Sequence, residues 1–236
     1  MEFEFLKRTE NLIGKENVQK IKNSKAIVYG IGGVGSFVVE GLVRAGIGSI
    51  VLVDKDIVDV TNINRQIHAN INTIGKKKVE VMKERILEIN PNIDVNIFHL
   101  PDIQKENSNF NEIELIDSTI NYVIDSVDTV KTKLALIEKS KELNIPIISS
   151  MGTGNKLEPT KLEIADISKT SVCPLARIIR KELKKKNIDK VKVLYSKEEP
   201  KKVNCTESSP ASISFVPSVA GLIIASEVVK DIISKK

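Results

Sequence analysis

Four side chains carry the chemistry this chain could perform: Asn62, Arg65, Lys78 and Asp128. Asn62 and Arg65 are three residues apart, so one helical turn places them on a common face. Lys78 follows Arg65 by thirteen residues, within Gly75-Lys-Lys-Lys-Val-Glu80. An amide, a guanidinium and an ammonium that converge suit a triphosphate. Arg grips phosphate oxygens with a bidentate fork, and Lys adds a point charge. Taken alone, the run Lys76 to Lys78 reads as a solvated basic turn. Asp128, three past Asp125, is the carboxylate best placed to hold a divalent ion against phosphates. Magnesium keeps several waters and needs only one or two protein carboxylates. Asp125 reads equally as a structural acid at a strand end.

These residues need a scaffold that brings them together, and the stretch Ala26-Ile-Val-Tyr-Gly-Ile-Gly-Gly-Val-Gly35 supplies its first part. An apolar run to Tyr29 reads as a buried parallel strand. It stops at Gly30, Gly32, Gly33 and Gly35, and the amphipathic segment Phe37 to Ala45 follows as a helix. Glycines allow the tight turn and let backbone approach a phosphate, which the helix N-terminus then attracts. Asp54 ends a second apolar strand nineteen residues after Gly35, where such units place a carboxylate on a ribose hydroxyl. A dehydrogenase would look the same up to this point. The polar stretch after it, through Asp56, Asn62, Arg65 and Gln66, is what a nicotinamide site leaves unexplained.

The rest of the chain alternates strand and helix. Strands are expected at Lys25 to Tyr29, Ser49 to Val53, Asp94 to His99, Tyr122 to Asp125 and Ile147 to Ser149. Helices are expected at Phe5 to Ile21, Val79 to Ile89 and Thr132 to Leu143. This pattern implies an α/β fold with a doubly wound, mostly parallel sheet. Beyond Gly154 come strands at Leu162 to Asp166 and Val191 to Tyr195, and a basic helix at Leu175 to Lys186. Ser196 to Ser212, with Pro200 and Pro210, reads as a mobile loop. The segment Phe215 to Ile233 starts apolar, ends charged, and is expected to give a closing helix after Pro217. The whole, 1–236, reads as a single domain with a basic insert and loop at about 169–212. Glycine turn, Asp54, Asp128 and Met151 to Asn155 all follow strands, so they can meet beyond the carboxyl ends of the sheet.

With 236 residues, a core of this size needs no covalent staples. The two cysteines, Cys173 and Cys205, form no Cys-x-x-Cys pair, which excludes a four-thiolate zinc within one chain. No signal peptide and no membrane-spanning stretch is expected, so a cytoplasmic protein follows. The net charge of +5 is uneven: Lys169 to Lys202 carries +8 and the remainder −3. That segment reads either as a solvated helix face or as a surface for a polyanion.

Taken in order, Gly30-Ile-Gly-Gly-Val-Gly35, Asp54-x-Asp56, Asn62-x-x-Arg65-Gln66, Lys78 and Asp125-Ser-Val-Asp128 resemble the ATP site of the ubiquitin-activating-enzyme-like adenylyltransferase superfamily. The likeness runs from about Phe5 to about Asp231. Within that superfamily it is closest to the branch that dehydrates threonylcarbamoyladenosine in tRNA. Thr61-Asn-Ile-Asn-Arg-Gln-Ile-His-Ala69, Ser150-Met-Gly-Thr-Gly-Asn155 and Asp166-Ile-Ser-Lys-Thr170 support it.

The resemblance implies an ATP- and Mg2+-dependent enzyme that cyclises threonylcarbamoyladenosine next to the tRNA anticodon through an acyl-adenylate. It implies ATP contacts from Gly30, Gly32, Gly33, Gly35, Asp54, Asp56, Asn62, Arg65, Gln66, Lys78 and Asp128, with Asp128 on the metal. Arg65, Lys78 and Asp128 would act catalytically. Arg8 would join them across a homodimer interface, as an N-terminal arginine does in sulfur-carrier adenylyltransferases. The basic segment would then bind tRNA through Arg177, Arg180, Lys181 and Lys184. The cyclisation calls for neither cysteine, and His68 reads as a packed or hydrogen-bonded residue of the Arg65 turn and not as a base. The competing reading within the superfamily is activation of the C-terminal carboxylate of a small sulfur-carrier protein. A sulfur-transfer or redox partner protein also stays open.

Overall fold

The computed structural model describes residues 4–101, 109–201 and 210–234. Seven strands form one sheet: β1 (Lys25–Tyr29), β2 (Ser49–Asp54), β3 (Asp94–His99), β4 (Tyr122–Asp125), β5 (Ile147–Ser150), β6 (Leu162–Asp166) and β7 (Lys192–Ser196). Their order is β3-β2-β1-β4-β5-β7-β6. All pairs from β3 across to β7 are parallel, and β6 runs antiparallel along β7. The helices are α1 (Lys7–Ile13), α2 (Lys15–Lys22), α3 (Gly35–Ala45), α4 (Lys78–Ile89), α5 (Val130–Glu142), α6 (Pro174–Lys185) and α7 (Phe215–Ser234).

β1 shows why this layering forms. Ala26 and Val28 point into one core, shared with Val38, Met82 and Ile224 of α3, α4 and α7. Ile27 and Tyr29 point into the other, shared with Leu136 and Ile179 of α5 and α6. A strand covered on both faces must read as an unbroken apolar run, which is how it reads. The chain winds outward from β1 through β2 to β3, then returns to β4 on the other side of β1. This reversal opens a crevice beyond the carboxyl ends of β1 and β4. α7 crosses α3 so closely that a Cβ on Gly221 would lie 2.4 Å from the Val34 carbonyl oxygen. That crossing brings the start of α7 beside the glycine turn.

Three boundaries differ from expectation. The N-terminal helix breaks at Gly14, whose ψ of 154° is extended, giving α1 and α2. The closing helix begins at Phe215, with Pro217 inside its first turn, where a missing N–H removes no helical bond. The stretch expected as a mobile loop is anchored over its described parts. The Glu198 carboxylate accepts from the Leu157 and Glu158 N–H groups at 2.8–3.1 Å. Asn155 accepts from Lys201 N–H and Ala211 N–H and donates its own N–H to Ala211, all at 2.7–2.8 Å. Cys205 lies outside the described residues.

Candidate active site

A cavity of about 610 Å³ occupies the crevice beyond β1 and β4. Its walls include Gly30, Gly32, Gly33, Asp54, Asp56, Asn62, Arg65, Gln66, Lys78 and Asp128. Residues from five separate stretches of sequence therefore meet. Thr153, Ser212 and Pro217 close another part of the wall.

The glycine turn is built by close approach. Gly30 has a φ of 83°, and a Cβ there would lie 2.8 Å from the Ser126 carbonyl oxygen. A Cβ on Gly35 would lie 1.8 Å from the Gly30 carbonyl oxygen. Gly35 is buried and is not a wall residue, so its task is to seat α3 on the turn. A Cβ on Gly32 would meet nothing within 4 Å, so that position is open for a ligand to approach. No side chain caps the N-terminus of α3, and its first turn holds no acidic residue. The positive end of that helix thus meets the cavity without a capping side chain or carboxylate of its own first turn.

Asp54 has a structural duty that its spacing did not reveal. One carboxylate oxygen accepts from Ile31 N–H at 2.5 Å, the other from Asp56 N–H at 2.7 Å. It pins the glycine turn to the end of β2. Burial pushes its carboxyl above the usual carboxylate range, against the Lys78 charge and both N–H donors.

Lys78 opens α4, is buried, and donates to Asp56 Oδ2 at 2.8 Å. An incoming phosphate must therefore share this ammonium with Asp56 or take it over. The Asn62 turn forms as its spacing requires: Asp59 caps it, Asn62 Oδ1 accepts from Asp59 N–H at 3.2 Å, and Arg65 N–H donates to Asn62 O at 3.1 Å. Arg65 reaches the cavity with its guanidinium steadied by Thr61 O at 2.9 Å and Asn64 Oδ1 at 2.8 Å. Gln66 Oε1 and Ser126 Oγ, both on wall residues, are buried without a hydrogen-bond partner among the described residues.

Asp128 is exposed at the wall, where Thr129 Oγ1 donates to its Oδ1 at 3.2 Å. One open carboxylate beside a phosphate cradle fits a magnesium ion that takes its remaining ligands from nucleotide and water. Asp125 is not free to do this. It is fully buried and ion-paired to the equally buried Lys133 at 3.1 Å. Lys133 escaped the sequence reading. Its only signal was a lysine on the face of α5 that buries Leu136, Ile137 and Ser140.

Arg8 stands exposed on α1, outside the cavity wall of its own chain, as a residue expected to act on a partner's site would. One assignment changes with the structure. Arg180 donates to Thr170 O and Oγ1 at 2.7 and 2.8 Å, so it holds the turn before α6. The +8 segment is likewise not one free patch. Lys185, Lys186, Lys192 and Lys197 pair with Glu182, Glu138, Asp231 and Glu163, at distances from 2.5 to 3.0 Å. Arg177, Lys181 and Lys184 stand exposed at i, i+4 and i+7, one stripe opposite the buried Ala176, Ile179 and Leu183. Cys173 is buried just before α6.

The profile of the ThiF family matches residues 6–236. The tRNA threonylcarbamoyladenosine dehydratase of Bacillus subtilis (strain 168) is 43% identical over 242 residues, 96% of this chain and 93% of that protein. The E. coli tRNA N6-threonylcarbamoyladenosine dehydratase solved with AMP superposes with a TM-score of 0.83 at 33% identity, over 96% of this chain and 93% of that one. The same enzyme solved with ATP gives 0.82 at 33% identity, over the same shares of each chain. Among the described residues no helix is long and apolar enough to cross a membrane.

Proposed function

The chain belongs to the ThiF family, and from that premise we propose that it is an ATP-dependent enzyme that dehydrates, and so cyclises, threonylcarbamoyladenosine in tRNA. The observation that carries this reading is the convergence of Gly30 to Gly33, Asn62, Arg65, Lys78 and Asp128 on one cavity at the switch point of the sheet. Relatives solved with ATP and AMP support it.

The substrate carboxylate attacks the α-phosphorus of ATP, pyrophosphate leaves, and an acyl-adenylate forms. The carbamoyl group of the same nucleoside then attacks the activated carbonyl. A ring closes and AMP leaves, so the substrate has lost one water. The second nucleophile is already tethered, which supplies much of that step's rate. The first step needs charge neutralisation and alignment more than a protein nucleophile. Arg65 and Lys78 bring two positive charges to the phosphates, and the N-terminus of α3 adds backbone donors. Asp128 would hold magnesium, which when bound draws negative charge from the phosphate oxygens. Asp54 and Asp56, both on the wall, would meet the ribose.

Transfer RNA would lie along the stripe Arg177, Lys181 and Lys184. The start of α6 lies near the cavity wall: a Cβ on Gly152, next to the wall residue Thr153, would touch Cys173 Sγ at 3.9 Å, and Cys173 directly precedes α6. Such a substrate would be met in the cytoplasm. A second copy of the chain would cover the exposed apolar residues of 57–74, among them Ile71, 82% exposed, and would bring its Arg8 towards this site.

The deciding experiment mixes protein, ATP and magnesium with tRNA that carries threonylcarbamoyladenosine. AMP release is followed and the nucleosides are weighed by mass spectrometry. Loss of one water, only with ATP, is expected. An unchanged nucleoside, with adenylation of a carrier protein ending in Gly-Gly, would overturn the reading.

A further inference from the structure

Lys133 and Asp125 form an ion pair in which both side chains are fully buried. Stability alone does not explain such a pair, because apolar residues of similar volume often replace one without loss. Its connections are more informative. Lys133 Nζ donates to both oxygens of Asp125 at 3.1 Å and to Ser150 O at 2.7 Å. Ser149 Oγ donates to Asp125 Oδ2 at 2.5 Å. Asp125 Oδ1 also accepts from Val127 N–H at 3.2 Å, within the turn that carries Asp128. One ammonium thus ties together the ends of β4 and β5. From the first hangs the Asp128 turn, from the second the Met151 to Thr153 wall.

We propose that Lys133 is a positioning residue: through Asp125 and Ser149 it sets the Asp128 carboxylate against the nucleotide and locks that turn to the opposite wall at Thr153. The inference rests on the reading of the cavity as a magnesium–ATP site. Two covalently distant loops that must hold a metal and a substrate at fixed separation need a rigid bridge beneath them. A buried ion pair that makes six hydrogen bonds in fixed directions is stiffer than apolar packing, which tolerates sliding. Partners behind a metal ligand typically change metal affinity by about 10- to 100-fold when removed.

The test is calorimetric titration of ATP with magnesium and again with a chelator. The factor by which magnesium tightens ATP binding is compared between the parent and two variants, Asp125→Asn/Lys133→Met and Ser149→Ala. The double variant removes both charges together and so leaves none buried alone. It is expected to bind metal-free ATP within about threefold of the parent while losing about tenfold or more of the magnesium increment. Ser149→Ala trims one hydroxyl, keeps the fold, and is expected to lose a few-fold of that increment. Should the double variant not unfold cooperatively in urea, Ser149→Ala decides. An unchanged increment in a folded variant overturns the proposal. If the parent itself does not bind ATP, the reading of the cavity fails instead.

Discussion

His68 lies beneath the Arg65 turn, buried, with neither ring nitrogen hydrogen-bonded among the described residues. Burial lowers its pKa from 6.5 to about 4, and the charges of Lys78 and Arg85 push the same way. The folded protein therefore holds this ring neutral, while the unfolded chain takes up a proton below pH 6.5. Stability from this group is complete above that value and is lost as pH falls towards the folded pKa. The loss approaches 1.4 kcal/mol per pH unit, or about 2 kcal/mol between pH 7.5 and pH 5. Asp54 works in the opposite sense, since its raised carboxyl contributes stability at low pH that is lost as pH rises. The chain has only two histidines, so few other groups change charge in this window. Urea unfolding, followed by circular dichroism at constant protein concentration, measures the slope. His68→Gln removes the titration, and most of the fall should disappear with it, whatever the variant's stability at pH 7.5. A flat parent profile, or an equally steep one in His68→Gln, would refute the argument.

Gly35→Ala should unfold more easily, because its methyl would meet the Gly30 carbonyl oxygen at 1.8 Å and the backbone must move. Gly32→Ala should match the parent within about 0.5 kcal/mol yet bind ATP more weakly, since only a ligand would meet its methyl. Equal ATP affinity in Gly32→Ala by calorimetry would place the phosphates elsewhere. Asp128→Asn should keep the parent melting profile, because an exposed carboxylate adds little to folding, and should slow AMP release roughly 100-fold or more. Reversing Arg177, Lys181 and Lys184 to Glu should weaken tRNA binding and flatten its salt dependence while ATP affinity holds. Arg180→Ala should instead lower thermal stability by freeing Thr170, with the salt slope little changed.

The strands and the glycine turn could be read from sequence because their signals are local. A buried parallel strand has to be apolar throughout, and a turn that passes backbone at 1.8 to 2.8 Å from a glycine's missing Cβ admits no larger residue. The expected strand ends agree with the structure to within a residue, and the polar set Asn62, Arg65, Lys78 and Asp128 stood out by type and spacing. Helix boundaries were less legible, because Gly14 and Pro217 each fit more than one local conformation. What the tertiary structure alone decided was how polar groups divide between ligand and protein. Asp54 looked like a ribose ligand, and it also clamps the glycine turn. Arg180 looked like a free cation, and it holds Thr170. Four of the twelve Lys and Arg residues of the basic segment are spent on acids up to forty-eight residues away, as between Lys186 and Glu138. Lys133 found Asp125 only after α5 folded back across β4. Charge and hydrogen bonding act through space at a few ångströms, so one-dimensional spacing shows which groups exist, and only packing determines which of them remain unspent.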